Sequence, residues 1–169
     1  MLFETERLKV RFLTIGDAQE FHAMQSNLKV MQFADGDIKN FEENTDELKE
    51  LISRYTIENN DFWIYAIVKK SDNQFIGTVA LVKDAYNDNE IGYRFLEIFW
   101  GLGFGSEICS GLVSYCKRIG FKKIIAYVID ENIASVKILE KNNFTILKKY
   151  TNQDLQLTET KYQLKIVKA

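Results

Sequence analysis

Proline is absent from this chain of 169 residues, and it holds only two cysteines and one histidine. With no proline, no linker-like stretch and no internal repeat, nothing marks a boundary, so residues 1–169 are expected to form a single domain. A domain of this size buries roughly 70% of its unfolded surface. Cys109 and Cys116 fall on one predicted helix, two turns or about 10 Å of rise apart, too far for a disulfide within that helix. Without a CxxC pair they read as buried thiols in a reducing compartment. Charge of neither sign dominates: 22 Lys plus Arg against 24 Asp plus Glu leave a net charge of −2, so no nucleic-acid footprint is visible. No apolar run is long enough to span a bilayer, and the first residues, Met1 to Arg7, lack the apolar core of a signal peptide. A cytoplasmic protein with no membrane partner is therefore expected.

What is present is a clear succession of periodic segments. Arg7–Phe12 alternates polar and apolar, the period of a half-buried strand. Asp17 is placed to cap a helix carrying Phe21, Met24 and Leu28, and Leu48, Leu51, Ile52 and Tyr55 form the apolar stripe of a second helix. Phe62–Val68 and Phe75–Val82 read as a hairpin, followed by a strand over Glu90–Phe95. After a glycine-rich turn, Ile108, Leu112, Tyr115, Cys116 and Ile119 mark one face of a third helix. The continuous apolar run Ile124–Ile129 predicts a strand covered on both sides. A short helix from about Ile133 to Asn142 and a closing antiparallel pair, Phe144–Tyr150 with Leu157–Val167, complete an order of β-α-α-β-β-β-α-β-α-β-β. That order fits an α/β (α+β) fold: a mixed, mostly antiparallel sheet with helices on its faces.

Gly101, Gly103 and Gly105 lie where a strand gives way to a helix. Such glycines can form no more than a tight turn, or they can let bare N–H groups converge on an anion at the positive end of the helix dipole. A dinucleotide fingerprint needs G-x-G-x-x-G, but its third glycine position is Ser106. Asp130 ends the next strand roughly where a ribose-binding acid would lie, yet too few residues follow for a doubly wound sheet. The absence of Gly-Lys-Ser/Thr excludes a Walker A loop.

Four motifs in order carry a resemblance. Arg7-Leu8-Lys9-Val10-Arg11, Glu90-Ile91-Gly92-Tyr93, the run Trp100 to Glu107 (WGLGFGSE), and Asn132-Ile133-Ala134-Ser135 with Lys141-Asn142-Asn143-Phe144 resemble the GCN5-related N-acetyltransferase (GNAT) family. The likeness is strongest to its ribosomal-protein N-terminal acetyltransferase branch and runs over nearly the whole chain. It implies a sheet with a splayed central strand pair, here Glu90–Phe95 beside Ile124–Ile129. Acetyl-CoA is the implied acetyl donor, with no metal. Its pyrophosphate would lie on the turn of Gly101, Leu102, Gly103, Phe104, Gly105 and Ser106. The pantetheine arm would pair with the backbone of Arg94, Phe95 and Leu96, and Asn132 would bond the arm. Leu102 stands where a basic residue is common, so phosphate binding is expected to rest on backbone amides and the helix dipole. Asn143 replaces a usual glycine, a position where Asn tolerates the left-handed conformation. Leu139 occupies the place of a tyrosine found in many relatives.

The implied reaction is attack of a neutral primary amine on the thioester. Proximity supplies the largest part, roughly 7–11 kcal/mol for well-oriented reactants. Deprotonation at pH 7 costs only about 1 kcal/mol for an α-amine but about 4.6 kcal/mol for a lysine-like amine. Glu90, at the head of its strand, is the candidate base, or else a strand-edge carboxylate in water. Ser135 is the candidate acid for the leaving thiolate, or else a side chain of the first helical turn bonding the backbone. Asn132 can serve as helix cap, ligand donor or both. His22 is expected on the surface of the first helix, and Tyr127 and Trp63 as core or pocket lining. A catalytically silent CoA-binding module is the alternative to an enzyme. The acceptor (ribosomal-protein-like N-terminus, polyamine, aminoglycoside or other small amine) is set by the first helices and the loops 28–40 and 86–89, where no code is legible. Relatives are often dimers, so a homodimer is a further expectation.

Overall fold

The computed structural model describes residues 1–34 and 37–166. The chain runs β1 (Phe3–Glu4), β2 (Leu8–Phe12), α1 (Ala18–Gln25), α2 (Leu28–Met31), α3 (Phe41–Ser53), β3 (Phe62–Lys69), β4 (Phe75–Lys83), β5 (Asn89–Phe95), α4 (Phe104–Arg118), β6 (Lys123–Ile129), α5 (Ile133–Lys141), β7 (Thr145–Thr151) and β8 (Thr158–Lys165). The expected order holds, with β1 and α2 as additions too short to carry a periodic signal. The expected closing strand stops at Lys165, and its last residue, Val167, lies outside the described residues.

All eight strands share one sheet in the order β1-β2-β3-β4-β5-β6-β8-β7. Alternation along β3 divides the core between its two faces. Tyr65 and Ile67 point to the face covered by α4, where Ile108, Leu112 and Cys116 are buried. Ala66 and Val68 point to the face covered by α1 and α3, against Phe21, Met24, Leu48 and Leu51. Both cysteines are buried free thiols, pushed up to about 12 by burial. Among the described residues no helix is long and apolar enough to cross a membrane.

Helix ends follow local chemistry, and four residues of the helices and their ends depart from expectation. In α3, Asn40 Oδ1 accepts the Glu43 N–H at 3.0 Å while the Glu43 carboxylate accepts the Asn40 N–H at 2.8 Å, closing a capping box. Asp17 does not cap α1 through its side chain. Its carboxylate instead accepts the Thr14 N–H at 2.8 Å and pairs with Arg11 at 2.7 Å. Leu28 is exposed at the start of α2 rather than on the stripe of α1, and Ile119, just past α4, is also exposed. His22 is half-buried rather than on the surface: its Nδ1 lies 2.9 Å from Asn44 Nδ2 and its ring meets Phe41 edge-on.

The feature that positions the site is the junction of β5 and β6. β5 pairs with β4 along its whole length, Gly77↔Phe95 through Lys83↔Asn89, but meets β6 in parallel only at Glu90↔Ile125. Beyond that bridge the two central strands part.

Candidate active site

A cavity of about 820 Å³ fills the opening between β5 and β6. The glycine turn, Asn132, Ser135, Tyr93, Arg94 and Phe95 all line it. Glu90, Leu96 and, within the turn itself, Leu102 do not, so the structure gathers most of the expected site but leaves these three at its margin.

Hydrogen bonding along β5 explains which backbone groups are open. The Leu96 N–H donates to Ile76 O at 3.0 Å, on the β4 side. Alternation turns the main-chain groups of Arg94 the same way, and those of Tyr93 and Phe95 toward β6. The expected pairing edge of Arg94, Phe95 and Leu96 is thus corrected: Arg94 and Leu96 are engaged with β4, and the edge left open by β6 is Tyr93 with the Phe95 N–H. Trp100 Nε1 donates to Phe95 O at 3.1 Å and ties the strand end to the turn.

Gly103 adopts φ +81°, in the left-handed region where a side chain is strained, and immediately precedes the first turn of α4. A Cβ on Gly105 would come within 2.9 Å of Ile138 Cδ1, so this third glycine serves the packing of α4 against α5. The N–H groups of Phe104, Gly105 and Ser106 at the start of α4 have no partner within the helix, and these residues line the cavity. Charge is not limited to these amides, contrary to expectation. Arg7 Nη1 donates to Leu102 O at 3.0 Å, its Nε pairs with Glu107 at 2.7 Å, and its guanidinium lies over the Phe104 ring. Its Nη2 would stand 3.4 Å from a Cβ on Gly103. A guanidinium therefore borders the turn, supplied by the first motif from the bend before β2, about a hundred residues away.

On α5, Asn132 Oδ1 accepts the Ser135 N–H at 3.3 Å, the helix cap foreseen, while Asn132 Nδ2 has no partner among the described residues. Asn143 ends this segment at φ +63°, in the left-handed conformation. The Ser135 side chain faces Tyr93. The Tyr93 hydroxyl is buried without a hydrogen-bond partner in normal geometry; burial pushes its pKa well up, and Ser135 pulls the other way. Tyr93 and Ser135 lie on the α4–α5 side of the sheet. Glu90 and Arg94, offset by one residue on β5, face the opposite side.

Around Glu90 stands an ionic cluster. Lys161 Nζ donates to Asp84 at 2.7 Å and Asp88 at 3.0 Å, and the Tyr127 hydroxyl donates to Asp84 at 2.7 Å. Glu159, accepting from Tyr150 and Asn152, reaches the cavity wall with Tyr127. Burial, then Asp84 and Glu159, push the Glu90 carboxyl up to about 7 against the pull of Lys161. Burial also raises Asp84, but Lys161, Tyr127 and the N–H groups of Asp88 and Tyr86 outweigh it and hold that carboxyl down to about 2. Two carboxylates of one cluster are thus driven apart, the pattern that lets one accept a proton near neutrality. Arg7, Tyr93, Glu159 and the Asp84–Lys161 pair were not foreseen as site residues. Only Arg7 and Tyr93 carried a signal, being inside quoted motifs.

A family model described as "Acetyltransferase (GNAT) domain" matches residues 7–145. The chain belongs to the GNAT acetyltransferase family. Among GNAT relatives, YoaA of Bacillus subtilis, an uncharacterised N-acetyltransferase, is 28% identical over 160 residues, covering 90% of this chain and 89% of its own. The solved structure of Vibrio cholerae spermidine N-acetyltransferase with CoA and spermine superposes with a TM-score of 0.80 at 20% identity, over 95% of this chain and 96% of that one. A Salmonella typhimurium enzyme that modifies the N-terminal serine of ribosomal protein L7/L12 gives 0.77 at 20% identity, over 96% and 97%. At these identities the GNAT structures share the fold. The GNAT sheet, opened between its central strands and lined by a glycine turn, is the frame in which the residues above are held.

Proposed function

We propose that this protein is an acetyl-CoA-dependent N-acetyltransferase acting on a primary amine, in the manner of the ribosomal-protein N-terminal acetyltransferase branch. The observation that carries this reading is the edge of β5 at Tyr93 and the Phe95 N–H, which β6 leaves unpaired and which opens onto the cavity of the glycine turn. Unpaired strand groups inside a cavity need hydrogen-bonding partners, and the amides of a pantetheine arm offer them. The residues present fit the donor: N–H groups from Leu102 to Ser106 and Arg7 Nη2 would hold its pyrophosphate, and Asn132 Nδ2 its arm. When bound, acetyl-CoA supplies the acetyl group as an activated thioester. The relatives named act on a polyamine and on a protein N-terminus, and both kinds of amine fit a site of this class.

Glu90 and Ser135 divide the proton work between the two faces of the sheet. Glu90 takes the proton of the acceptor amine on one face. Because Glu90 does not itself line the cavity, it does so through one intervening water. Ser135 gives a proton to the leaving sulfur on the other face, with the Tyr93 hydroxyl placed behind it. A thiol pKa near 8.5 makes the leaving group moderate, so this proton helps without being essential.

Two results are expected. Ser135→Ala lowers turnover by about 10–100-fold with CoA affinity almost unchanged. Loss of CoA affinity with saturated turnover intact would make Ser135 a binding residue instead. Gly103→Val, measured by calorimetry, weakens CoA binding by about 10–100-fold or more, because a β-branched residue at positive φ distorts the turn. It also lowers stability by roughly 1–3 kcal/mol from backbone strain. Wild-type CoA affinity in that variant would remove the donor from the turn.

A further inference from the structure

Arg94 is the cation that the reading above leaves without a task. Its side chain lines the cavity on the face of β5 opposite Tyr93, together with Lys29, Val30 and Phe33 from the segment after α1. A guanidinium carries five N–H donors. Among the described residues, Arg94 makes one hydrogen bond, from Nη1 to Gln25 Oε1, and forms no ion pair. Burial outweighs the attraction of the nearest acid, Glu47, and lowers its pKa. Glu47 is itself held by Lys39 at 2.6 Å and by Gln25 Nε2 at 3.3 Å. Of the other cavity cations, Lys29 is paired with Glu97 at 2.6 Å and Lys137 is exposed to water. A half-buried guanidinium with most of its donors idle is held at a cost unless an anion or water completes it.

We propose that Arg94 binds an anionic group of the acceptor, so that the amine acetylated here belongs to a molecule that also carries a carboxylate or a phosphate. Glu90, Gly92 and Arg94 share one face of β5, about 13 Å from first to last at the usual strand rise. Gly92 leaves the floor between them bare. An acceptor lying along this face directs its amine toward the Glu90 end while its anion meets the fork of Arg94, a geometry suited to bidentate recognition. A polycation finds repulsion at the same point. This assignment of substrate class rests on the acetyltransfer reading, but anion binding by Arg94 can be measured apart from turnover.

The test titrates matched acceptors into CoA-saturated protein by calorimetry, with initial acetylation rates recorded beside it. The probes are short amidated peptides with a free N-terminus and Asp, Asn or Lys at the second position, and O-phosphoethanolamine against ethanolamine. The two pairs separate a carboxylate from a phosphate. The anionic member should bind roughly 10–100-fold more tightly than its neutral partner, as expected for charge-assisted hydrogen bonds. Arg94→Gln should bring that ratio close to unity, and Arg94→Lys should restore part of it. Thermal unfolding should show no loss of stability in Arg94→Gln, since a structural ion pair would show one. Equal or better binding of the neutral or Lys-bearing probes overturns the proposal. So does a preference that survives Arg94→Gln, or a loss of CoA affinity in its place. An Arg94-dependent preference with no acetylated product from any amine would uphold the anion site and defeat the acetyltransfer reading alone.

Discussion

Glu90→Gln should lower turnover by about 10²–10⁴ while making the protein more stable above neutral pH. The two effects have one cause. In the unfolded chain this carboxyl titrates near 4.3, whereas burial beside Asp84 and Glu159 pushes it up to about 7 in the fold. Between those values the folded state binds more protons than the unfolded state, so Glu90 lowers stability as pH rises from about 4 to 7. Glutamine removes the buried charge. After allowance for solvent screening, the gain at pH 8 should be about 1–2 kcal/mol, falling to nothing near pH 4. Activity has the opposite dependence: a base must be ionised, so wild-type turnover should rise through pH 7, and that limb should vanish in Glu90→Gln. A variant that gains stability and loses activity marks a group kept for chemistry. An unchanged pH–rate profile would return Glu90 to the role of a strand-edge carboxylate. Glu159→Gln is the informative companion, since Glu159 lines the cavity; the limb near pH 7 should survive there.

The largest structural effect is expected at Lys161. Its side chain is 8% exposed and that of Asp84 is 5% exposed, so the pair stands almost out of water. Lys161→Met leaves two carboxylates, Asp84 and Asp88, near each other, with the Tyr127 hydroxyl and the Tyr86 and Asp88 N–H groups still on Asp84 and Lys123 on Asp88, but with no cation paired to Asp84 among the described residues. Removing one partner of such a pair costs about 3–5 kcal/mol, which lowers the melting temperature of a domain of this size by on the order of 10 °C. Because Asp84 is held at about 2 in the fold, its contribution is present above about pH 4 and disappears as pH falls toward 2. The deficit of Lys161→Met should therefore shrink in acid. Lys161 is also the group that pulls Glu90 down, so the limb near pH 7 should move upward in whatever activity survives. Equal stability of variant and wild type at neutral pH would show that the pair contributes nothing net.

The sequence was most legible where local chemistry acts alone. The alternation of β2, the hairpin of β3 and β4, the buried run of β6, the capping asparagine of α5 and the left-handed Asn143 each depend on neighbours a few residues away, and each stands where periodicity and turn chemistry put it. Asp17 was misread because its carboxylate had two local claims, on the helix it precedes and on Thr14, and Arg11 decided between them. Backbone pairing at Arg94 and Leu96 was misassigned because strand periodicity says which side chains share a face. It does not say which N–H groups point to which neighbour. Contacts between segments far apart in the chain were the least legible. Arg7, in the bend between β1 and β2, meets Leu102 and Glu107 at the glycine turn and α4, and Lys161 meets Asp84 from a strand far along the chain. No spacing in the sequence records either.

The most direct test mixes the wild-type protein with acetyl-CoA and a panel of primary amines at pH 8, following free thiol and acetylated amine together. Both products should appear in equal amounts, only when an amine is present, and at a rate that saturates with acetyl-CoA. Failure to bind acetyl-CoA, or thiol release that is indifferent to every amine, would contradict acetyl transfer at the junction of β5 and β6.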